Sequence, residues 1–133
     1  LVTANPPYSP SGQGEEASGS RGVARCEKTC TLEDVSRAAG FLLGHGGRFC
    51  LINRADRTAE IFAAMRACLI EPKVLLPVIS KPGRGVSLVL VEGKKGARPG
   101  LVFEEPLFLY GADGSVSETV RQIYGNCREN VVL

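Results

Sequence analysis

The residues of this chain best suited to chemistry come almost at once. Asn5-Pro6-Pro7-Tyr8 follows Leu1-Val2-Thr3-Ala4, which reads as the end of a buried strand. A planar, conjugated amine is a weak nucleophile because its lone pair is delocalised. A site that accepts both amine hydrogens lets the nitrogen pyramidalise toward an electrophile, and Asn5 can offer a side-chain carbonyl for this while Pro6 offers a backbone one. The two prolines fix their own φ and keep the residues before them extended, so the acceptors are held in one turn. Tyr8 adds a ring on which a base can stack. Asn-Pro also opens ordinary turns, so a plain strand-terminating turn is the competing reading of the same residues.

The elements that must position this tetrapeptide follow in a regular order. Residues 9–24 are rich in Ser, Gly, Gln and Glu with almost no large apolar side chain, which predicts a mobile substrate loop, or else an insertion without a role. Thr31 is a capping residue before the acidic pair Glu33 and Asp34, and Leu32, Val35, Ala38, Ala39, Leu42 and Leu43 recur at helical spacing. Gly44 to Gly47 end that helix, and Arg48 to Asn53 read as a short apolar strand. A second helix is expected from about Asp56 to Leu69, with Ile61, Phe62, Met65 and Leu69 inward and Glu71-Pro72 as its stop. Lys73 to Ser80 and Val86 to Glu92 then read as two strands. The connection Lys81-Pro82-Gly83-Arg84-Gly85 is short enough to require an antiparallel hairpin. Leu101 to Phe103 and Leu107 to Tyr110 predict short appended strands, Asp113-Gly114 a turn, and Ser115 to Tyr124 a closing helix.

With these elements in place the chain resembles the class I methyltransferases that use S-adenosylmethionine, and more narrowly the bacterial adenine-N6 methyltransferases of valine tRNA. Asn5-Pro6-Pro7-Tyr8 matches the motif that follows the fourth strand of that fold. Ala24-Arg25-Cys26-Glu27, Leu43-Gly44-His45-Gly46-Gly47-Arg48-Phe49, Asn53-Arg54-Ala55-Asp56-Arg57, Lys81-Pro82-Gly83-Arg84-Gly85 and Pro106-Leu107-Phe108-Leu109-Tyr110 support it. Cys26 departs from the pattern, since the family usually carries His there. The resemblance implies an α/β chain, the C-terminal half of a Rossmann-like methyltransferase, with a mixed sheet that ends in an antiparallel hairpin and an appended hairpin and helix. It covers residues 1–125 as part of one domain, with 126–133 as a tail. It further implies tRNA as partner, S-adenosylmethionine as cofactor with Asn5 beside it, and Asn5, Pro6, Pro7 and Tyr8 as the catalytic set. A strand end without its beginning, and no initiator Met, lead us to expect a longer protein with most of the cofactor site before Leu1. A glutamine side-chain amide of a release factor is a second planar amine that the tetrapeptide suits. A non-catalytic fragment is a third reading.

Other groups are less specific. Five cysteines at irregular spacing point to reduced thiols; Cys26 and Cys30 could form half a metal site, but no second pair answers them, and no metal is expected. His45 sits among glycines at a helix C-terminus, where the dipole repels anions, so it reads as a turn residue rather than part of a phosphate loop. Arg25 and Glu27 border the expected active site, as a phosphate contact with its partner or as a plain surface ion pair. Lys73, Lys81, Arg84, Lys94, Lys95 and Arg98 face one acidic residue, Glu92, between positions 73 and 100. If the hairpin presents several on one side they would track an RNA backbone, with Lys81, Arg84, Lys94 and Lys95 as the contacts; otherwise they are solvated loop charge. A net charge of +2 and the lack of a long apolar run fit a soluble cytoplasmic protein.

Overall fold

The computed structural model describes residues 1–6 and 30–129, with the side chains of 126–129 left aside. The chain order is β1 (Val2–Ala4), α1 (Leu32–Leu42), β2 (Arg48–Arg54), a 3-10 turn (Ala55–Arg57), α2 (Thr58–Ala67), β3 (Ile70–Ile79), β4 (Val86–Lys95), β5 (Val102–Phe103), β6 (Leu107–Phe108) and α3 (Glu118–Glu129). One mixed sheet runs β1-β2-β4-β3-β5, and β6 also pairs with β3. β1 is parallel to β2, while β4 inserts antiparallel between β2 and β3. The last long strand of the chain thus lies inside the sheet rather than at its edge, as the resemblance implies.

Alternation sets the two faces of the sheet. Phe49, Leu51 and Asn53 of β2 lie opposite Gly93, Val91 and Val89 of β4, and this face is buried beneath α1 and α2. Leu32, Ala39 and Leu43 of α1 join Ile61, Ala64 and Met65 of α2 in the same core. Gly93 is part of how the layers close. A Cβ there would lie 2.6 Å from Ile70 Cγ2 and 3.2 Å from Met65 Sδ, so glycine lets α2 settle onto the strand.

α1 begins as its sequence predicts. The Thr31 hydroxyl accepts from the Asp34 N–H at 3.1 Å, and the Asp34 carboxylate accepts from the Thr31 N–H, a reciprocal capping box. These bonds hold the Asp34 carboxyl below its usual pKa, with the Thr31 N–H contributing most. The buried stripe, however, is Leu32, Ser36, Ala39 and Leu43, while Ala38 and Leu42 are exposed. Helix contact explains the rotation. A Cβ on Gly40 would lie 3.1 Å from the Cys68 Cβ, so the small residues of α1 are turned toward α2, and Phe41 is left 89% exposed.

Two further expectations are corrected. α2 ends at Ala67, and Leu69 points outward, 75% exposed at φ 59, instead of entering the core. A left-handed residue at this point reverses the chain, so that Ile70 can begin β3 buried. Glu71 and Pro72 therefore belong to the strand rather than to a helix stop. Pro72, which has no N–H to give, falls where the β3–β4 register shifts between Pro72 and Val74. β4 likewise continues past Glu92 to Lys95, through Gly93. Breaker residues in the sequence are thus absorbed by a bulge and by close packing.

Candidate active site

Strand polarity gathers the candidate residues. β1 and β2 are parallel, and β3 is antiparallel to β4, so the carboxyl ends of β1, β2 and β3 lie at one end of the sheet. Asn5 and Pro6 leave β1 at that end, Asn5 exposed and Pro6 buried. Pro7, Tyr8, Arg25, Cys26 and Glu27 lie outside the described residues, as does the loop 9–24.

Continuing the β1–β2 register past Ala4↔Leu51 places Pro6 opposite Asn53, the last buried residue of β2. Asn53 is 0% exposed. Its Oδ1 accepts from the Arg54 N–H at 2.8 Å, but its Nδ2 has no acceptor among the described residues. A buried amide donor costs on the order of 1–3 kcal/mol when unsatisfied, so it marks a polar place in an otherwise apolar face. Nothing in the sequence singled out Asn53 beyond its membership in a resembling stretch.

Beyond β2 the chain is pinned by charge. Arg54 forms a two-pronged ion pair with Asp56, which lowers the Asp56 pKa chiefly through the hydrogen bonds to the guanidinium. Arg57, 8% exposed, donates to the Glu60 carboxylate through Nε at 2.9 Å and Nη2 at 2.6 Å. These pairs fix the 3-10 turn that follows the site strand.

The expected basic contacts divide into two groups. Lys81 and Arg84 sit at the β3–β4 tip, at the same end of the sheet as Asn5 and Pro6, and their side chains make no hydrogen bond or ion pair among the described residues. Lys94 pairs with Arg48 in the register, at the opposite end. Lys95 Nζ donates to the carbonyls of Leu43, at 2.7 Å, and Gly40, where it closes the C-terminal end of α1. Lys73 Nζ also turns inward, to the Arg98 carbonyl at 3.2 Å. A hairpin of two ten-residue strands spans roughly 30 Å, so neighbours in sequence are brought to opposite ends. The four residues are not one patch.

Tyr110, which the sequence reading placed only in an appended strand, stands beside the tip. Ser80, Lys81, Arg84, Tyr110 and Gly114 line an open cleft of about 560 Å³. The Tyr110 N–H donates to the Ser80 carbonyl at 2.9 Å, and Leu109 donates to Ile79 at 3.0 Å, so the ring is carried by a backbone tied to the hairpin.

Thiols and metals need little. Cys30, Cys50 and Cys68 are free, and the Cys50 thiol donates to Glu92 at 3.6 Å. Burial, then the Glu92 charge, pushes its pKa up, which keeps it protonated. Among the described residues no group of three His, Cys, Asp or Glu could hold a metal ion, and no helix is long and apolar enough to cross a membrane. His45 is exposed in its turn and lies over Gly96, which adopts φ +70.

No family model and no curated protein matches the sequence. Among solved structures the chain is similar to the crystal structure of a predicted O-methyltransferase from Agrobacterium tumefaciens, with a TM-score of 0.66 and 26% identity. The match covers 74% of this chain and 48% of that one, so this chain spans about half the length of its structural neighbour. Parallel β1 and β2, the inserted antiparallel β4 and the helices over one face are those of a Rossmann-like methyltransferase fold.

Proposed function

We propose that this chain forms the acceptor side of an S-adenosylmethionine-dependent methyltransferase that modifies the N6 amine of an adenine in tRNA, a cytoplasmic task. The observation that carries the reading is the position of Asn5 and Pro6. They leave a parallel strand at its carboxyl end, where ligands of open α/β sheets bind, and two cations without partners among the described residues share that end.

The residues fit the methyl-bearing side of the cofactor. The exposed Asn5 carboxamide and the buried Asn53, whose Nδ2 has no acceptor among the described residues, give this strand end polar groups in an apolar setting, and Asn5 is the residue that would border the cofactor. S-adenosylmethionine would supply an electrophilic methyl group there. The chain's own part is to prepare the amine. The Asn5 Oδ1 and the Pro6 carbonyl accept its two hydrogens, which localises the nitrogen lone pair and aims it. Tyr8 stacks on the base, which flips out of its stack to reach the strand end. No strong general base is required, because a methylated amine sheds its extra proton readily to water.

The deciding experiment follows a labelled methyl group in the complete protein. Transfer to tRNA, lost by about 100-fold or more in Asn5→Ala with cofactor affinity retained, is the expected result. Labelling of a release-factor glutamine, or of a hydroxyl acceptor, in place of tRNA would replace the adenine reading.

A further inference from the structure

The hairpin-tip cleft is a second place at the same end of the sheet, and its lining is unlike that of the strand end. Lys81 and Arg84 bring two positive charges with no anionic partner among the described residues. Tyr110 brings a ring that is 45% exposed although its backbone is fixed on both sides, by the bond to Ser80 and by a bridge to Val116. The far wall is a turn held by Asp113, whose carboxylate accepts from the Ser115 N–H at 3.0 Å and the Ser115 hydroxyl at 2.8 Å. Those bonds, the hydroxyl's above all, keep Asp113 ionised, but they also occupy its Oδ1 within its own turn. What remains open is a fixed aromatic face beside two cations that no described residue neutralises.

We propose that this cleft binds one unpaired nucleotide of the RNA substrate, its base stacked on Tyr110 and its phosphate held by Lys81 and Arg84. A ring and adjacent cations recognise single-stranded nucleic acid because every base has a π face and every linkage a negative charge. Arg84 adds a planar donor fork suited to phosphate oxygens. Location agrees. β1 and β3 are separated in the sheet by β2 and β4, and the tip lies about five residues beyond the level of Asn5 in the shared register, so the cleft is roughly 20–25 Å from Asn5, a span of a few nucleotides of the same strand of RNA. The nucleotide bound here is therefore not the methyl acceptor but one a few positions away, which sets where along the strand the acceptor falls. This inference rests on the RNA reading above.

An adenine-free probe separates the two. Fluorescently labelled oligouridine of eight nucleotides is titrated into the protein, Tyr110→Ala, Tyr110→Phe and the double variant Lys81→Gln/Arg84→Gln, with thermal melts to confirm folding. The expected pattern is about tenfold weaker binding by Tyr110→Ala with an unchanged salt slope, near-normal binding by Tyr110→Phe, and a slope lower by roughly 1.4 in the double variant. Duplex RNA of the same length should not depend on Tyr110. If folded Tyr110→Ala binds oligouridine as the parent does, the cleft assignment fails, even where tRNA methylation survives. If that binding depends on Tyr110 while no methyl reaches tRNA, the cleft stands and the adenine reading fails.

Discussion

The two ends of the β3–β4 hairpin carry the same kind of residue and use it differently. At the amino end of β2, Lys95 is drawn onto the last carbonyls of α1 and Lys73 onto the Arg98 carbonyl, so these two charges hold the fold. At the tip, Lys81 and Arg84 have no protein acceptor among the described residues. Charge that is already satisfied within a protein adds little to binding, whereas free charge in a cleft can be neutralised only by a ligand or by salt. Counting basic residues along the sequence misses this distinction.

The largest effect expected from breaking the contrast is on RNA binding. Replacing Lys81 and Arg84 by Gln should weaken single-stranded RNA binding by about 25-fold at 0.1 M salt, as two lost phosphate contacts imply, without lowering the melting temperature. Fluorescence titration over a salt series measures both the loss and the slope. At the other end the outcome is reversed. Lys95→Met should lower stability by about 1–3 kcal/mol, because two helix-terminal carbonyls lose a charged donor, while the salt slope of RNA binding stays as it was. Urea unfolding checks the first half, and an unchanged midpoint would mean that the lysine only rests against the helix.

Gly96 sharpens the structural end further. It holds φ +70, and a Cβ there would meet the His45 ring at 2.3 Å, so Gly96→Ala should cost about 1–2 kcal/mol or more. Adding His45→Ala should recover the steric part and leave the cost of the backbone conformation. Equal melts for the single and double variants would exclude any contribution from the ring.

The smallest effect is on acid stability. Asp34, Asp56, Glu71 and Asp113 all have carboxyl pKa values held below their usual range, Asp34 by the Thr31 N–H, Asp56 by Arg54, Glu71 by the Arg66 guanidinium and Asp113 by Ser115. A group with a depressed folded pKa contributes stability above its unfolded value, and that contribution disappears as pH falls through the folded one. The melting temperature should therefore be insensitive to these groups from pH 7 to 5 and decline below about pH 4. Thr31→Ala should shift the onset of that decline only slightly, since the affected groups lie at the surface.

Much of the architecture was legible because local chemistry and global fold agree. Thr31 with Asp34 announced a helix start, and the short Lys81–Gly85 connection left no choice but an antiparallel hairpin. The strand before Asn5-Pro6 was equally plain, and so was the polarity that brings that motif to a carboxyl end. The sequence by itself determined the element order and the hairpin, and it put forward Asn5-Pro6 as the candidate site motif. The tertiary structure decided what depends on distance. It turned the small face of α1 inward against Cys68, put Leu69 outside, ran β3 and β4 through Pro72 and Gly93, and buried Asn53 with a donor that has no acceptor among the described residues. It also sent Lys95 to a helix end and set Tyr110 beside Lys81 and Arg84. Periodicity reports which residues share a face, but only packing between elements fixes a helix's rotation. Only the full length of a strand pair decides which charges can act together.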